Sequence, residues 1–179
     1  LHVVVDTNLA DLPVERRSAV AQRVLERVLA GESFDWRPVT SGGFVIGHLV
    51  QELSKRLVDP SVGIEARIEL VQLVWRAKER GVDHQLVSLV HAATDVTEYG
   101  GTVSLGRWAV IALEGCTDKA ILAELVGMAR ASVTNRWIRE DLLLSLHPDQ
   151  LTAREVLDLI PDDAFSGMDT TFLGLVKRI

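Results

Sequence analysis

Apolar residues recur at helical spacing along most of this 179-residue chain, and this periodicity constrains its fold more than any other feature. Such stripes predict amphipathic helices, which bury their apolar sides against one another or against a sheet. The predicted helices span roughly residues 13–31, 46–58, 60–80, 84–94, 105–112, 117–129 and 152–160. Thr152 and Glu155 have the spacing of a capping box at the start of the last of these helices. We therefore expect a helix-rich chain with one shared core.

Three short segments interrupt the helical pattern and predict strands. Residues 2–5, His-Val-Val-Val, form a β-branched run that stops at the polar Asp6. Segments at 36–40 and 131–135 have a similar character. Strands that alternate with helices are typical of α/β folds, so we expect a mostly helical α/β fold. It would form a single domain over residues 1–179, with 161–179 as a C-terminal extension.

The tryptophans suggest an alternative fold. Trp75, Trp108 and Trp137 are separated by 33 and 29 residues, a spacing typical of stacked helical hairpins. The alternative is therefore an all-α solenoid. The tryptophans lie on apolar stripes, so we expect them in the core, and Trp137, beside Arg136, is the one candidate for stacking on a nucleic-acid base.

Composition and charge exclude several classes of protein. A formal net charge of −6 argues against a broad basic surface for nucleic acid, so any contact with RNA must be local. No apolar run reaches the roughly 20 residues of a membrane-spanning helix, and the first residues lack the pattern of a secretion signal. The lone Cys116 is expected to be a buried small hydrophobe. We expect a cytoplasmic protein that does not bind membranes.

Two carboxylates stand where ligands often bind. Asp6 follows the first predicted strand, and the carboxyl ends of strands in open α/β sheets are usual ligand sites. The alternative for Asp6 and Asn8 is a structural turn cap. Asp118 begins a predicted helix, where the amide dipoles stabilise a carboxylate even without a metal.

The order of these motifs resembles the PIN-domain ribonuclease family. The resemblance comprises the strand ending at Asp6-Thr7-Asn8, Thr40-Ser41 before a helix with Glu52, the helix start at 118–122, and Val133-Thr134-Asn135. Residues 151–160 are also similar to the C-terminal segment of one toxin–antitoxin branch of that family.

The resemblance implies a small parallel sheet flanked by helices, with a metal-dependent nuclease site at the carboxyl ends of its strands. Acidic residues there hold Mg²⁺ or Mn²⁺, because hard cations prefer oxygen ligands and a metal-bound water loses its proton readily. Asp6 and Asp118 would be ligands, and Glu52 a third ligand or the residue that orients the attacking water. The substrate-binding residues would be Asn8, Thr134, Asn135 and Arg136, with Asn8 also holding Asp6 in place.

The chain departs from the family pattern at two positions. Family members often carry a fourth acid directly after the Val-Thr strand, where this chain has Arg136 and Trp137. Glu140 and Asp141 are the displaced substitutes, and Arg136 is a candidate for gripping phosphate. The interval from Ser41 to Glu52 is also longer than in the family pattern, and the alternative for Glu52 is a solvated helix position.

Three functional hypotheses follow. The first is a metal-dependent ribonuclease that hydrolyses RNA phosphodiester bonds as the toxin of a toxin–antitoxin pair. The second is a non-catalytic helical protein-interaction module, and the third is a PIN-like domain with a decayed site. The candidate partners are RNA, an antitoxin protein and a second copy of the chain.

Overall fold

The computed structural model describes residues 9–34, 36, 43–96, 98–131 and 135–160, and regular structure within these ranges is helical. Two single turns of 3-10 helix lie at Leu9–Asp11 and Gly47–Leu49. The α-helices of the described residues are α1 (Val14–Leu29), α2 (Val50–Val58), α3 (Ile64–Ala77), α4 (Asp83–Thr94), α5 (Gly101–Ala112), α6 (Lys119–Arg130), α7 (Arg136–Leu146) and α8 (Ala153–Leu159).

The helices pack in two rows. Helices α3, α5 and α7 lie side by side in one row with α1 against α3, while α2, α4 and α6 form the other row. Each row packs on the other, most closely where α4 lies along α5. Alternate helices along the chain lie in the same row, as in stacked helical hairpins.

The expected α/β fold with a parallel sheet is wrong. The described residues contain no strand and no sheet, and they fit the all-α alternative. Trp36 is in irregular structure and Ala131 is the C-cap of α6. The other positions of the predicted strands lie outside the described residues: 2–5, 37–40 and 132–134. The extension at 161–179 lies outside them as well. The physical reason is that each row of helices covers the apolar stripes of the other, so no sheet is needed to bury them.

One close approach between the rows depends on a glycine. A Cβ at Gly106 of α5 would lie 2.4 Å from the Cβ of Ala93 in α4 and 3.0 Å from Ile138 in α7. No side chain fits there without movement of its neighbours. Gly106 therefore sets the distance between α5 and both of these helices.

Several helix ends are stabilised by side chains. Thr152 and Glu155 form the expected capping box at the start of α8, which is confirmed. At the end of α5, Arg80 donates hydrogen bonds to the carbonyl of Ala112, at 2.9 Å, and to that of Glu114.

None of the described helices combines the length and the apolar character that crossing a bilayer requires.

Candidate functional site

Asp118 lies at the beginning of α6 and acts as its N-cap. Its carboxylate accepts hydrogen bonds from the backbone amides of Ala120, at 2.8 Å, and Ile121, at 3.3 Å. The predicted start of a helix at this residue is confirmed. The side chain therefore has a local structural role of the kind that a helix N-terminus offers any carboxylate.

Asn135 and Arg136 lie at the start of α7. The Asn135 side chain is buried and accepts hydrogen bonds from the amides of Trp137, at 3.0 Å, and Ile138, at 3.4 Å. Its amide nitrogen donates to the carbonyl of Val96. The Arg136 guanidinium lies 5.4 Å from the centre of the Trp137 ring. Asn135 thus joins α7 to the end of α4, while Arg136 stays exposed beside an aromatic ring.

Glu52 is half-buried on α2 and pairs within its own helix. Its carboxylate lies 2.7 Å from the Nε of Arg56, one turn further along. No group of three or more His, Cys, Asp or Glu side chains that could hold a metal ion occurs among the described residues. The two described acids, Glu52 and Asp118, therefore do not by themselves fit a Mg²⁺ or Mn²⁺ site.

Asp6, Asn8 and Thr134 lie outside the described residues. The expected contact of the Asp6 and Asp118 carboxylates with one cation therefore stays a prediction. The catalytic role of Glu52 also stays a prediction. The same holds for the substrate-binding roles of Asn135 and Arg136.

The two acids considered as substitutes for a fourth ligand are both buried in α7. Asp141 accepts two hydrogen bonds from Arg107 of α5, at 2.6 and 3.2 Å. Glu140 is 1% exposed, and its two carboxylate oxygens have no hydrogen-bond partner among the described residues. Burial raises the pKa of Glu140 above its usual range. Asp141 therefore links α5 to α7, and Glu140 favours its neutral form.

Four aromatic side chains on the α3–α5–α7 row, which we call the aromatic face, form a second and better-defined feature. They are Trp75, Tyr99, Trp108 and Trp137. The rings of Trp75 and Trp108 are 5.9 Å apart, and those of Tyr99 and Trp137 are 5.2 Å apart with edge-on geometry. The tryptophans are half-buried against the core, whereas Tyr99 is 54% exposed.

The outward side of α5 connects these two aromatic pairs. Ser104, Arg107, Trp108 and Ile111 follow the i, i+3, i+4, i+7 spacing of one helix side, and all four are half-buried. Ser104 donates a hydrogen bond to the Tyr99 hydroxyl at 3.3 Å. Trp108 lies at one edge of this stripe and Arg107 at the other, so the aromatic face is continuous across the row.

Arginine side chains accompany the aromatic rings. The Arg76 guanidinium lies 4.9 Å from the Trp75 ring centre and 5.9 Å from that of Trp36. Cation–π contacts of this kind hold both the ring and the guanidinium in place. On the other aromatic pair, hydrogen bonds from Ser104 and, to a smaller extent, Arg107 lower the pKa of Tyr99. The aromatic face is therefore ordered before any partner arrives.

The aromatic face was only partly predictable from the sequence. The spacing of Trp75, Trp108 and Trp137 suggested a repeat, and it was the signal that could have located the face. Tyr99 and Arg107 were not singled out as functional, because neither lies in a motif. Their positions depend on the packing of α5 against α7.

No protein-family model matches the chain, and neither a curated protein nor a solved structure matches it.

Proposed function

We propose that the protein is a non-catalytic helical protein-interaction module whose aromatic face binds a partner protein. The observation that carries the proposal is the presence of two ring pairs, Trp75 with Trp108 and Tyr99 with Trp137, which the outward side of α5 connects. Tryptophan, tyrosine and arginine are the residues most enriched among those that dominate binding energy in protein interfaces.

The physical properties of the aromatic face support a binding role. Large, rigid rings provide contact area with little loss of side-chain entropy, and the cation–π contacts of Arg76 and Arg136 restrict the rings further. A partner that covers Trp108 and Ile111 would remove apolar area that is now only partly shielded from water. Stacked helical hairpins commonly bind partners along such a row.

The ribonuclease hypothesis has less support. Its metal site depends on Asp6, which is not among the described residues, and on Asp118, whose carboxylate caps α6. A thermal shift with Mn²⁺ tests it directly. An upward shift that Asp6→Asn abolishes, together with RNA cleavage, would replace the present proposal with the nuclease.

The interaction proposal is tested by photo-crosslinking. A benzophenone amino acid replaces Ile111, half-buried on the outward side of α5, and in a matched control it replaces Ala92, exposed on α4 in the other row. We expect a specific adduct only from position 111. Its partner is identified by mass spectrometry, purified and titrated against the intact chain.

Charge substitutions then measure the contribution of the aromatic face. Ile111→Glu places an unpaired carboxylate in the centre of the contact, and a loss of affinity of about 30-fold or more is expected for a residue that dominates binding. Ala92→Glu should change affinity less than about twofold. Equal effects of the two substitutions, or equal adducts from the two positions, would contradict the proposed site.

A further inference from the structure

A small pocket lies where the ends of α5 and α7 meet α6, and the structure contains nothing that explains it. Its volume is about 60 Å³. Its walls are apolar side chains from the three helices: Val110, Leu113, Leu122, Leu125, Leu142 and Leu146. The pocket is separate from the aromatic face, because Val110 and Leu113 lie on a different side of α5 from Trp108 and Ile111.

A thiol lines the pocket as well. The Cys116 side chain, in the loop between α5 and α6, is 7% exposed and lines it. Burial raises the pKa of this thiol, so it is neutral and behaves as a small hydrophobic group. The expectation that Cys116 is buried is thereby confirmed, and the thiol adds apolar surface to the pocket rather than a nucleophile.

Three polar side chains also line the pocket. They are the Ser145 hydroxyl, the Asp149 carboxylate and the Gln150 amide. None of these three side chains has a hydrogen-bond partner in the part of the chain that the structure describes. Asp149 and Gln150 are exposed, and no basic side chain is among the described residues that line the pocket. A concave site that combines apolar walls with a few polar groups is the usual form of a binding site.

Size and charge identify the occupant. One buried water needs a cavity of at least about 10–15 Å³. This pocket, at about 60 Å³, therefore has room for roughly four to six waters or for the four carbon atoms of a leucine side chain. The single carboxylate that lines the pocket favours a cation next to that side chain, and the chain as a whole carries a formal charge of −6. We propose that the pocket binds a leucine side chain followed by a basic residue in a segment of a partner protein.

The experiment uses the full chain and short peptides as probes. N-acetyl-Leu-Lys-amide is titrated and followed by NMR chemical shifts, with the Ala-Lys and Leu-Glu peptides as controls. The Leu-Lys peptide should shift the signals of Leu122, Ser145 and Gln150 saturably. It should bind at least about tenfold more tightly than Ala-Lys, because the missing carbon atoms leave apolar surface exposed. Its advantage over Leu-Glu should be about two- to fivefold, the range of an exposed ion pair.

Two variants locate the binding. Leu122→Trp enlarges a half-buried wall and should abolish the titration. Asp149→Asn lies in an exposed turn and leaves the walls intact, so it should remove the preference for Leu-Lys over Leu-Glu while keeping the preference over Ala-Lys. Circular dichroism checks that both variants are folded, and Asp149→Asn provides the test if Leu122→Trp is not.

Several results would overturn the proposal. Equal binding of Ala-Lys would mean charge attraction alone, and equal binding of isoamyl alcohol and Leu-Lys would mean a pocket for small apolar molecules. Self-association that the Leu-Lys peptide displaces, measured by sedimentation, would mean that a second copy is the occupant. Absent or scattered shifts would mean no site. The proposed role of the aromatic face is tested at Ile111 and does not depend on any of these results.

Discussion

The ion pair between Arg107 and Asp141 should be the strongest single polar link between α5 and α7. The Arg107 guanidinium donates two hydrogen bonds to the carboxylate, and the side chains are only 29% and 10% exposed. Hydrogen bonds to charged groups contribute roughly 1.5–3 kcal/mol each, and breaking a fully buried pair costs about 3–5 kcal/mol. Asp141→Asn keeps the shape and one acceptor, and water reaches part of Arg107, so we expect a loss of about 2 kcal/mol.

The assay is urea unfolding followed by circular dichroism, with a double-mutant cycle over Asp141→Asn and Arg107→Gln. The double variant should lose less free energy of unfolding than the sum of the single variants, by at least about 1 kcal/mol. The melting temperature of Asp141→Asn should fall by roughly 4–8 °C.

The matched control for this cycle is a surface ion pair. Arg23 and Glu26 of α1 are 3.5 Å apart with side chains 76% and 50% exposed, so Glu26→Gln should lose less than about 0.5 kcal/mol. An Asp141→Asn variant as stable as Glu26→Gln, or strictly additive single substitutions, would refute the reasoning that this pair joins the two helices.

Three further predictions follow from the packing, a helix cap and a buried acid. Gly106→Ala places a Cβ 2.4 Å from that of Ala93 and should lower the free energy of unfolding in urea by about 1–3 kcal/mol. The control Gly127→Ala has open space around it and should stabilise α6 by up to about 1 kcal/mol. Equal effects of the two substitutions would contradict this account. Asp118→Ala removes the N-cap of α6 and should lower the free energy of unfolding by about 1 kcal/mol, equally with and without Mn²⁺. A decrease that appears only with Mn²⁺ would indicate that Asp118 is a metal ligand. Burial raises the pKa of Glu140 above its ordinary value of 4.5, so the folded chain keeps a proton that the unfolded chain has already released. The free energy of unfolding therefore falls as the pH rises from about 4.5 through the pKa of Glu140 in the folded chain. Glu140→Gln should remove that part of the fall, measured by urea unfolding at about pH 4.5 and about pH 7.5; an unchanged pH dependence would show that Glu140 ionises freely in the fold.

Local properties of the sequence predicted the helices well. The expected helix at 84–94 is observed as Asp83–Thr94, and that at 13–31 as Val14–Leu29. The capping box at the start of α8 and the helix start at Asp118 were also correct. These features depend on contacts within three or four residues, which a sequence displays directly.

The prediction failed at 136–146, where no helix was expected. Asn135 is common both in turns after strands and at helix N-caps, so residue type does not distinguish these structures. The adjacent Glu140 and Asp141 made the apolar side of α7 look interrupted. The partner that allows Asp141 to be buried, Arg107, is 34 residues earlier in the chain. A family pattern with a strand at this position then favoured a sheet.

The sequence by itself determined the helices other than α7, two of their caps and most of the buried apolar stripes, because helical periodicity and end capping are set by neighbours one turn apart. Only the tertiary structure decided that the helices cover one another in two rows, that Trp75 meets Trp108, and that a pocket remains open between α5, α6 and α7. Each helix has a stripe that could be buried in several ways. The choice depends on the free energy of packing the whole chain at once, including a contact as specific as the one that Gly106 permits with Ala93.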